Sequence, residues 1–151
     1  MEKDDTDTFL SFRSGFERGY KNFVIFGGTG GRIDHTIANI QTLSHIAKCG
    51  GRGFLIGNGS IITAIYNSKI CFPTDCIGTV SVFAQDTAKK VTITGMKYNV
   101  QNAEFSPHIP LGVSNEFTLK QGTVSVEDGV LLIVWYEKTS DFFKHFDLLL
   151  I

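Results

Sequence analysis

The residues most able to do chemistry stand in one glycine-rich segment, where glycines are followed by a cation, a carboxylate and an imidazole. The segment reads Gly27-Gly28-Thr29-Gly30-Gly31-Arg32-Ile33-Asp34-His35. Glycine at four of the first five positions lets the backbone approach a phosphate group closely, and the arginine adds a cation. The sequence therefore predicts a phosphate site, whose candidate residues are Gly28, Gly30, Gly31, Arg32, Asp34 and His35.

The glycine-rich segment lies between a predicted strand and a predicted helix. The apolar run at residues 23–26 indicates a buried strand, and apolar residues from Ile33 to Ile46 recur at helical spacing. This order points backbone N–H groups and a helix N-terminus at an anion. The same spacing also fits a tight turn in which Asp34 is an ordinary acid near a helix N-terminus. The residues alone leave both interpretations open.

Two familiar phosphate loops are excluded by the residue order. No Gly-Lys-Ser or Gly-Lys-Thr follows the glycines, so the segment is not a Walker-type loop. Ile33 stands where the dinucleotide-binding pattern requires its third glycine. The loop is therefore of a different kind.

A second candidate group is acidic and precedes the first predicted helix. Asp4, Asp5 and Asp7 stand within four residues, ahead of aromatic residues at helical spacing. Asp5 or Thr6 fits the N-cap, and Asp7 fits the first turn, where a negative charge suits the helix dipole. Carboxylates this close repel one another, and Mg²⁺, which takes oxygen ligands, would relieve the repulsion. Helix capping and metal binding therefore both remain open for Asp4 and Asp7.

Composition narrows the class of protein. The chain has 151 residues, of which 42% are hydrophobic and 19% charged, so we expect a packed core. Its net charge of −1 gives no electrostatic reason for a nucleic-acid partner. The sequence shows no secretory signal and no apolar run of about 20 residues, so we expect a soluble cytoplasmic protein without a membrane partner.

The cysteines and histidines give no metal-binding pattern in the sequence. Three cysteines are too few and too scattered for a disulfide framework, and Cys71 and Cys76 lack a second Cys/His pair, so we expect no zinc site. His35 fits a hydrogen-bonding or capping role better than that of a general base. We interpret as structural the three histidines without a partner at ligand spacing, His45, His108 and His145.

The pattern of secondary structure changes along the chain. Up to residue 67 the order helix, strand, helix, strand, strand indicates an α/β layer with a mostly parallel sheet. The β-type runs that follow cover residues 78–84, 90–94, 98–100, 123–126 and 130–136. Such closely spaced strands are typical of an antiparallel sandwich or barrel-like sheet. The sequence thus predicts two regions, 1–67 and 68–138, and an extra apolar tail, 139–151. We expect this tail to form a docking helix or a strand against a partner, and a membrane anchor is the weaker alternative.

In the second region Tyr98, Ser114 and Asn115 are the informative residues. An aromatic residue on a strand between two polar neighbours is more often a cross-strand packing residue than a platform for a ligand. Ser114 and Asn115 follow a glycine closely, and this pattern is more often turn chemistry than ligand binding. The residues alone leave the functional alternative open.

Four segments together resemble the thiamine pyrophosphokinase family, and they occur in the family's order. They are residues 2–7, residues 30–39 (Gly-Gly-Arg-x-Asp-His-x-x-Ala-Asn), residues 94–98 (Thr-Gly-Met-Lys-Tyr) and residues 112–116 (Gly-Val-Ser-Asn-Glu). Four motifs in order are far more specific than any one of them. The resemblance implies a Rossmann-like catalytic domain followed by a β-sandwich that helps to bind thiamine, in a homodimer.

The resemblance also implies a reaction, the transfer of a pyrophosphoryl group from ATP to thiamine with Mg²⁺ present and AMP released. It implies that the glycine loop and Arg32 hold the phosphates of ATP, and that Asp34 binds the nucleotide or orders Arg32. Asp7, with Asp4, would share magnesium or orient the attacking hydroxyl. With the resemblance, we favour this role over capping at Asp7 and leave the two open at Asp4.

The thiamine half of the resemblance is complete, whereas the metal half is not. Tyr98 matches the aromatic residue that stacks on the aminopyrimidine ring, and Ser114 and Asn115 match polar residues near the same ligand, across the dimer. The family's Asp-Phe-Asp-Ser magnesium motif is absent, and Met1 stands directly before the second acidic motif. We therefore expect an N-terminally shortened family member with impaired catalysis. The alternative function is a thiamine-binding or dimerising module without kinase activity.

Overall fold

The computed structural model describes residues 6–150, so the predicted acids Asp4 and Asp5 lie outside the described residues. The helices are α1 (Asp7–Glu17), α2 (Ile33–Lys48) and α3 (Thr139–Leu149). The strands, in chain order, are β1 (Asn22–Phe26), β2 (Arg52–Gly57), β3 (Ser60–Tyr66), β4 (Lys69–Phe72), β5 (Thr79–Ala84), β6 (Ala88–Thr94), β7 (Val100–Phe105), β8 (Gly112–Glu116), β9 (Gly122–Ser125) and β10 (Val130–Tyr136).

The strands form two sheets. The larger sheet has the order β1-β2-β3-β10-β5-β8, and the smaller has the order β4-β9-β6-β7. Strands β1 and β2 are parallel, and every other strand pair within residues 6–150 is antiparallel. The prediction of a mostly parallel sheet in the first region is therefore wrong. The cause is the two-residue turn at Asn58 and Gly59, both at positive φ, which folds β3 back along β2 as a hairpin.

The predicted fold class is confirmed, because a parallel β1–α2–β2 unit leads into two packed antiparallel sheets. Side chains alternate between the faces of the larger sheet. One face joins the smaller sheet and α3 in a main core that includes Phe54, Phe72 and Trp135. The other face packs against α2 through Leu43 and Leu132, among others. Burial on both faces explains why β2, β3 and β10 read as continuous apolar runs rather than alternating ones.

The larger sheet contains strands from both sides of the predicted boundary at residue 67. Strand β3 belongs to the first region and pairs over its whole length with β10 of the second. Strand β10 in turn pairs with β5. The two regions therefore share one sheet and one core, and their limits at 1–67 and 68–138 stay a prediction.

The C-terminal tail forms α3 and docks on the main core. Phe142 and Leu149 are buried there, and the Phe142 ring lies 5.1 Å from that of Phe54. Of the alternatives predicted for this tail, the docked helix is the one observed. Within the described part of the chain, no helix is long and apolar enough to cross a lipid bilayer.

Candidate functional site

The glycine-rich loop connects the end of β1 to the start of α2, in the strand–turn–helix order that the sequence predicts. Gly27, Gly30 and Gly31 have φ angles of 69°, 101° and 66°. Residues with a side chain are strained in this left-handed region, so the path of the loop depends on glycine. The loop therefore turns sharply in front of α2, and the N–H of Gly27 donates to the carbonyl of Ile56 at 3.1 Å.

Gly28 is required for a different reason, namely space. A Cβ atom at Gly28 would lie 2.4 Å from Leu55 Cδ1 and 2.9 Å from Asn39 Nδ2. Asn39, on α2, is 7% exposed and donates a hydrogen bond of 3.0 Å to the carbonyl of Gly28. Asn39 thus fastens the loop to the helix. The sequence analysis included Asn39 in the family motif but gave it no role, since its partner is known only from the fold.

Arg32 and Asp34 form an ion pair at the N-terminus of α2. Arg32 Nε donates to Asp34 Oδ1 at 3.1 Å, and Arg32 Nη2 donates to Oδ2. The hydrogen bond from Arg32 lowers the pKa of the Asp34 carboxyl below its usual value. The ion pair orders the guanidinium. Because both side chains are exposed, the guanidinium also remains accessible. Arg32 makes no side-chain cap hydrogen bond, and the N–H of His35, in the first turn of α2, donates to Asp34 Oδ1 at 3.0 Å.

The loop faces a cleft of about 480 Å³ that α1 also lines. Thr8 on α1 borders this cleft together with Gly30, Arg32 and His35. The structure therefore places the first turn of α1 beside the predicted phosphate site. The contribution of Thr8 was missed by the sequence analysis, and no motif in the sequence indicates it.

Asp7 lies in the same first turn of α1. Thr6 is the N-cap, since its Oγ1 accepts a hydrogen bond of 3.3 Å from the N–H of Phe9. Among residues 6–150 no hydrogen bond or ion pair engages the Asp7 carboxylate, which is therefore available to a ligand. Thr6 is therefore the N-cap, and Asp7 occupies the first turn, where a negative charge suits the helix dipole.

The fit of Mg²⁺ to this region is partial. Mg²⁺ is usually held by one or two carboxylates together with substrate phosphates. Asp7 supplies one such carboxylate, and Asp4 lies outside the described residues. In the described part of the chain, the one group of three potential metal ligands is elsewhere, at Cys76, Glu137 and His145. The residues around the loop thus suit a phosphate-bound magnesium ion but do not form a metal site by themselves.

The predicted thiamine residues Tyr98 and Asn115 are in contact. Asn115 is 4% exposed on β8. Its Oδ1 accepts the N–H of Tyr98 at 2.9 Å, and its Nδ2 donates to the Tyr98 carbonyl at 2.7 Å. Tyr98 lies in a bend before β7, so its predicted position on a strand is wrong. The ring of Tyr98 is consequently free of cross-strand packing and remains exposed.

Ser114 and two charged residues lie in the same region. Ser114 has a φ of 59°, and its N–H donates to Ser81 Oγ at 3.1 Å, beside an irregularity in the β5–β8 register. The Ser114 residue itself is exposed. Lys97 Nζ lies 2.7 Å from Glu116 Oε1 and 5.5 Å from the centre of the Tyr98 ring. The hydrogen bond to Glu116 raises the pKa of Lys97. Lys97 and Glu116 stood inside the family motifs, but their pairing appears only in the fold.

The two halves of the predicted site lie at opposite edges of the larger sheet. The loop follows β1 at one edge, and Ser114 and Asn115 lie on β8 at the other. Five strand spacings separate these edges, or about 24 Å at about 4.8 Å per spacing. The structure therefore brings Tyr98 to Asn115, and Arg32 to Asp34, but it does not join the two groups within one chain.

Comparison with protein families gives two matches in succession. Residues 1–52 match the model described as thiamin pyrophosphokinase, catalytic domain. Residues 67–131 match the model described as thiamin pyrophosphokinase, vitamin B1 binding domain. Residues 53–66, which include most of β2 and all of β3, lie between the two matched ranges.

Individual relatives agree with the family matches. Thiamine pyrophosphokinase of Bacillus subtilis is 31% identical over 137 residues, which cover 88% of this chain and 63% of that protein. Its crystal structure superposes with a TM-score of 0.81 at 28% identity, covering 91% of this chain and 65% of that one. The thiamin pyrophosphokinase of Geobacillus thermodenitrificans gives a TM-score of 0.80 at 27% identity, covering 93% and 65%. The chain thus spans a little less than two thirds of the length of these relatives.

Proposed function

Because the chain belongs to the thiamine pyrophosphokinase family, we propose that it takes part in transferring a pyrophosphoryl group from ATP to thiamine. The products would be thiamine diphosphate and AMP. The observation that carries the proposal is the loop between β1 and α2, where glycine geometry, a helix N-terminus and an ordered arginine converge on one cleft. These are the features with which proteins hold phosphate groups.

The loop would position the phosphates of ATP. Backbone N–H groups of the loop would contact phosphate oxygens, and Arg32 would stabilise the negative charge that develops during transfer. Asp34 would hold the guanidinium in place, which reduces the freedom that Arg32 loses on binding. Phosphoryl-type transfer depends mainly on such positioning and charge stabilisation. Magnesium, when bound with ATP, would neutralise part of the phosphate charge, and Asp7, in the first turn of α1, would supply a carboxylate for it.

The region around Tyr98 would hold thiamine. An exposed aromatic face can stack on the flat aminopyrimidine ring. The paired bonds from Asn115 fix the backbone of Tyr98, and the exposed Ser114 would offer a hydroxyl nearby. Asn115 would thus act mainly by positioning Tyr98, since its carboxamide oxygen is already engaged by Tyr98 and by Glu116 N–H.

The separation of the two halves supports a homodimer. The loop and Tyr98 lie near opposite edges of one sheet, too far apart for one ATP and one thiamine to meet within a single chain. A second copy that places its Tyr98 opposite the loop of the first would complete the site. A cytoplasmic location is part of the same proposal, and the three free cysteines suit a reducing compartment.

A second candidate function is a thiamine-binding or dimerising module without kinase activity. It is favoured because, among residues 6–150, those that line the cleft at the loop include no carboxylate, and Asp7 borders a neighbouring cavity instead. The thiamine region is complete by comparison.

One experiment separates the two functions. The chain is incubated with Mg²⁺, ATP and thiamine, AMP and thiamine diphosphate are measured, and thiamine binding is measured separately by calorimetry. Under the proposal, AMP and thiamine diphosphate form, and Asp7→Asn abolishes turnover. Tyr98→Leu weakens thiamine binding about tenfold, as expected for a lost stacking contact of about 1 kcal/mol or more. Tyr98→Phe, which keeps the ring, is the matched control. Thiamine binding without products would establish the module instead. If neither products nor thiamine binding is observed, both functions are rejected.

A further inference from the structure

A cluster of potential metal ligands lies where α3 meets the sheets, and none of its residues belongs to the glycine loop or the Tyr98 region. Cys76 lies between β4 and β5, Glu137 directly follows β10, and His145 lies on α3. Their sulfur, one carboxylate oxygen and one ring nitrogen lie within 4.8 Å of one another. The sequence analysis expected no zinc site at Cys76 and interpreted His145 as structural, because these residues are far apart in the chain.

The cluster is largely shielded from water, and the two ring nitrogens of His145 face two different carboxylates. Cys76 is 6% exposed and His145 is 7% exposed. His145 Nδ1 lies 2.8 Å from Glu137 Oε1, and Nε2 lies 3.1 Å from Asp75 Oδ2. In zinc sites, a ligating histidine uses one ring nitrogen for the metal and donates the other N–H to a carboxylate. In this arrangement Nδ1, which faces Glu137, would bind the metal, and the N–H at Nε2 would donate to Asp75.

We propose that Cys76, Glu137 and His145 bind a divalent transition-metal ion of the zinc type, with Asp75 orienting the imidazole. Thiolate, imidazole and carboxylate are all established zinc ligands. A tetrahedral ion with bonds of about 2.0–2.3 Å separates its ligand atoms by about 3.3–3.6 Å, so small side-chain shifts suffice. This assignment does not depend on the proposed transferase function.

The fourth coordination position would face a cavity of about 460 Å³. Three protein ligands with an open position admit a water molecule or small anion. Lys144 also lines this cavity, but its ammonium group lies 2.6 Å from Asp141 Oδ1, so its charge is already compensated. Lys138 lines the cavity as well, but the three carboxylates of the lining, Asp75, Glu137 and Asp141, outnumber the two lysines. The lining therefore keeps an excess of negative charge when His145 is neutral, as it is when it binds a metal.

The surrounding structure holds the ligands in place. Trp135 Nε1 donates to Glu137 Oε2 at 3.1 Å, which leaves Oε1 directed at His145. The N–H of Cys76 donates to the carbonyl of Pro73 at 3.3 Å. Helix α3 is anchored by the buried Phe142. A bound ion would therefore tie α3 to β10 and to the β4–β5 connection, and it would stabilise the docked helix by mass action.

The test uses the whole chain after chelator treatment, with Co²⁺ as the spectroscopic probe and Zn²⁺ as the competitor. We expect one equivalent of Co²⁺ to give tetrahedral visible bands and a thiolate-to-cobalt charge-transfer band, both removed by Zn²⁺. Zn²⁺ should raise the Tm. Cys76→Ser should abolish the charge-transfer band, and Asp75→Asn, outside the ligand set, should weaken binding about tenfold or more. Circular dichroism verifies that Cys76→Ser, which changes little volume, keeps the fold.

The matched control is another Cys–His pair. Cys49 Sγ lies 3.5 Å from His45 Nε2 at the end of α2. Cys49→Ser should leave the spectrum unchanged. A charge-transfer band that persists in Cys76→Ser and disappears in Cys49→Ser would overturn the proposal, and so would the lack of a one-equivalent signal in the unmodified chain.

Discussion

The side-chain amide of Asn115 forms hydrogen bonds with both backbone polar groups of Tyr98, 17 residues away in the chain. A carboxamide has the same donor and acceptor as a peptide group, so Asn115 replaces a strand partner that the bend at Tyr98 lacks. This pairing turns the Tyr98 ring out of the sheet. A residue that the family resemblance places near thiamine is thus explained by its effect on the neighbouring aromatic ring.

We expect Asn115→Leu to destabilise the fold and to weaken thiamine binding together. The substitution keeps the size of the side chain but leaves the Tyr98 N–H and carbonyl without their partner, at a cost of about 1–3 kcal/mol. Urea unfolding and calorimetry with thiamine measure the two effects. Thr118→Ala is the control, because it removes one exposed hydrogen bond to Gly95 and should change neither by much. Unchanged thiamine affinity in a folded Asn115→Leu variant would contradict the positioning role.

Gly28→Ala should disturb the loop more than an alanine at an open glycine does. Its Cβ atom would overlap Leu55 and crowd Asn39, and overpacking of this kind costs about 1–3 kcal/mol. Gly19→Ala is the comparison, since no atom lies within 4 Å of the added Cβ and only its φ of 89° opposes the change. Urea unfolding compares the two stabilities, and ATP titration should show weaker binding for Gly28→Ala alone. Equal ATP affinity in the two variants would contradict a role for the loop in phosphate binding.

Gly57→Ala should act on the same loop from the opposite side. A Cβ atom at Gly57 would lie 2.0 Å from Thr29 Oγ1, so the Thr29 side chain would have to rotate or the loop would have to move away from β2. We expect reduced ATP affinity and a lower free energy of unfolding. The double variant Gly57→Ala with Thr29→Gly removes the overlapping hydroxyl, and it should recover stability relative to Gly57→Ala. If the double variant does not recover stability, the contact between Thr29 and the new Cβ atom is not the cause of the destabilisation.

The pKa of Asp34 should lie below that of an ordinary aspartate, and Arg32→Gln should raise it towards the ordinary value of about 3.9. The hydrogen bond from Arg32 is the main cause of the lowered pKa. The pKa of Asp34 is lower in the folded protein than in the unfolded chain. The ion pair therefore contributes to stability above the unfolded pKa, and this contribution is lost as pH falls through the folded pKa. The pair should therefore be unaffected between pH 5 and 8. Carboxyl titration by NMR measures both values, and equal pKa values in the two proteins would contradict the prediction.

The thiol of Cys76 should react slowly with alkylating reagents in metal-free protein. Burial, together with the charges of Glu137 and Asp75, raises its pKa to about 12. At pH 8 about one thiol in 10⁴ is then ionised, against about a quarter for a thiol of pKa about 8.5. Iodoacetamide labelling followed by peptide mass analysis should modify the exposed Cys49 first. Glu137→Gln should speed the reaction at Cys76, and labelling of Cys76 as fast as Cys49 would show that the thiol is not protected.

Local patterns in the sequence were sufficient to predict the elements around the loop. The apolar run at residues 23–26 and the helical spacing after Ile33 correspond to β1 and α2, and the glycines mark the turn between them. The predicted burial of the strand is wrong, because β1 lies at the edge of the larger sheet and none of its residues is fully buried. These elements are set by contacts between neighbours in the chain, which periodicity reports directly. The family was predicted from four motifs in their order, and the fold class was predicted from the pattern of helices and strands together with that resemblance. Strands β4 and β8 were missed, and β7 (Val100–Phe105) was predicted at residues 98–100, since short strands with mixed polar residues carry little periodic signal.

The tertiary structure alone decided which distant residues meet. The antiparallel course of β3 places β10 beside it, so two predicted regions share one sheet. The same arrangement separates the loop from Tyr98 by the width of that sheet, and it brings His145 to Asp75, 70 residues away. These contacts depend on strand pairing and on the docking of α3 against a common core. Such long-range packing is governed by the whole set of buried surfaces, and no local spacing of residues encodes it.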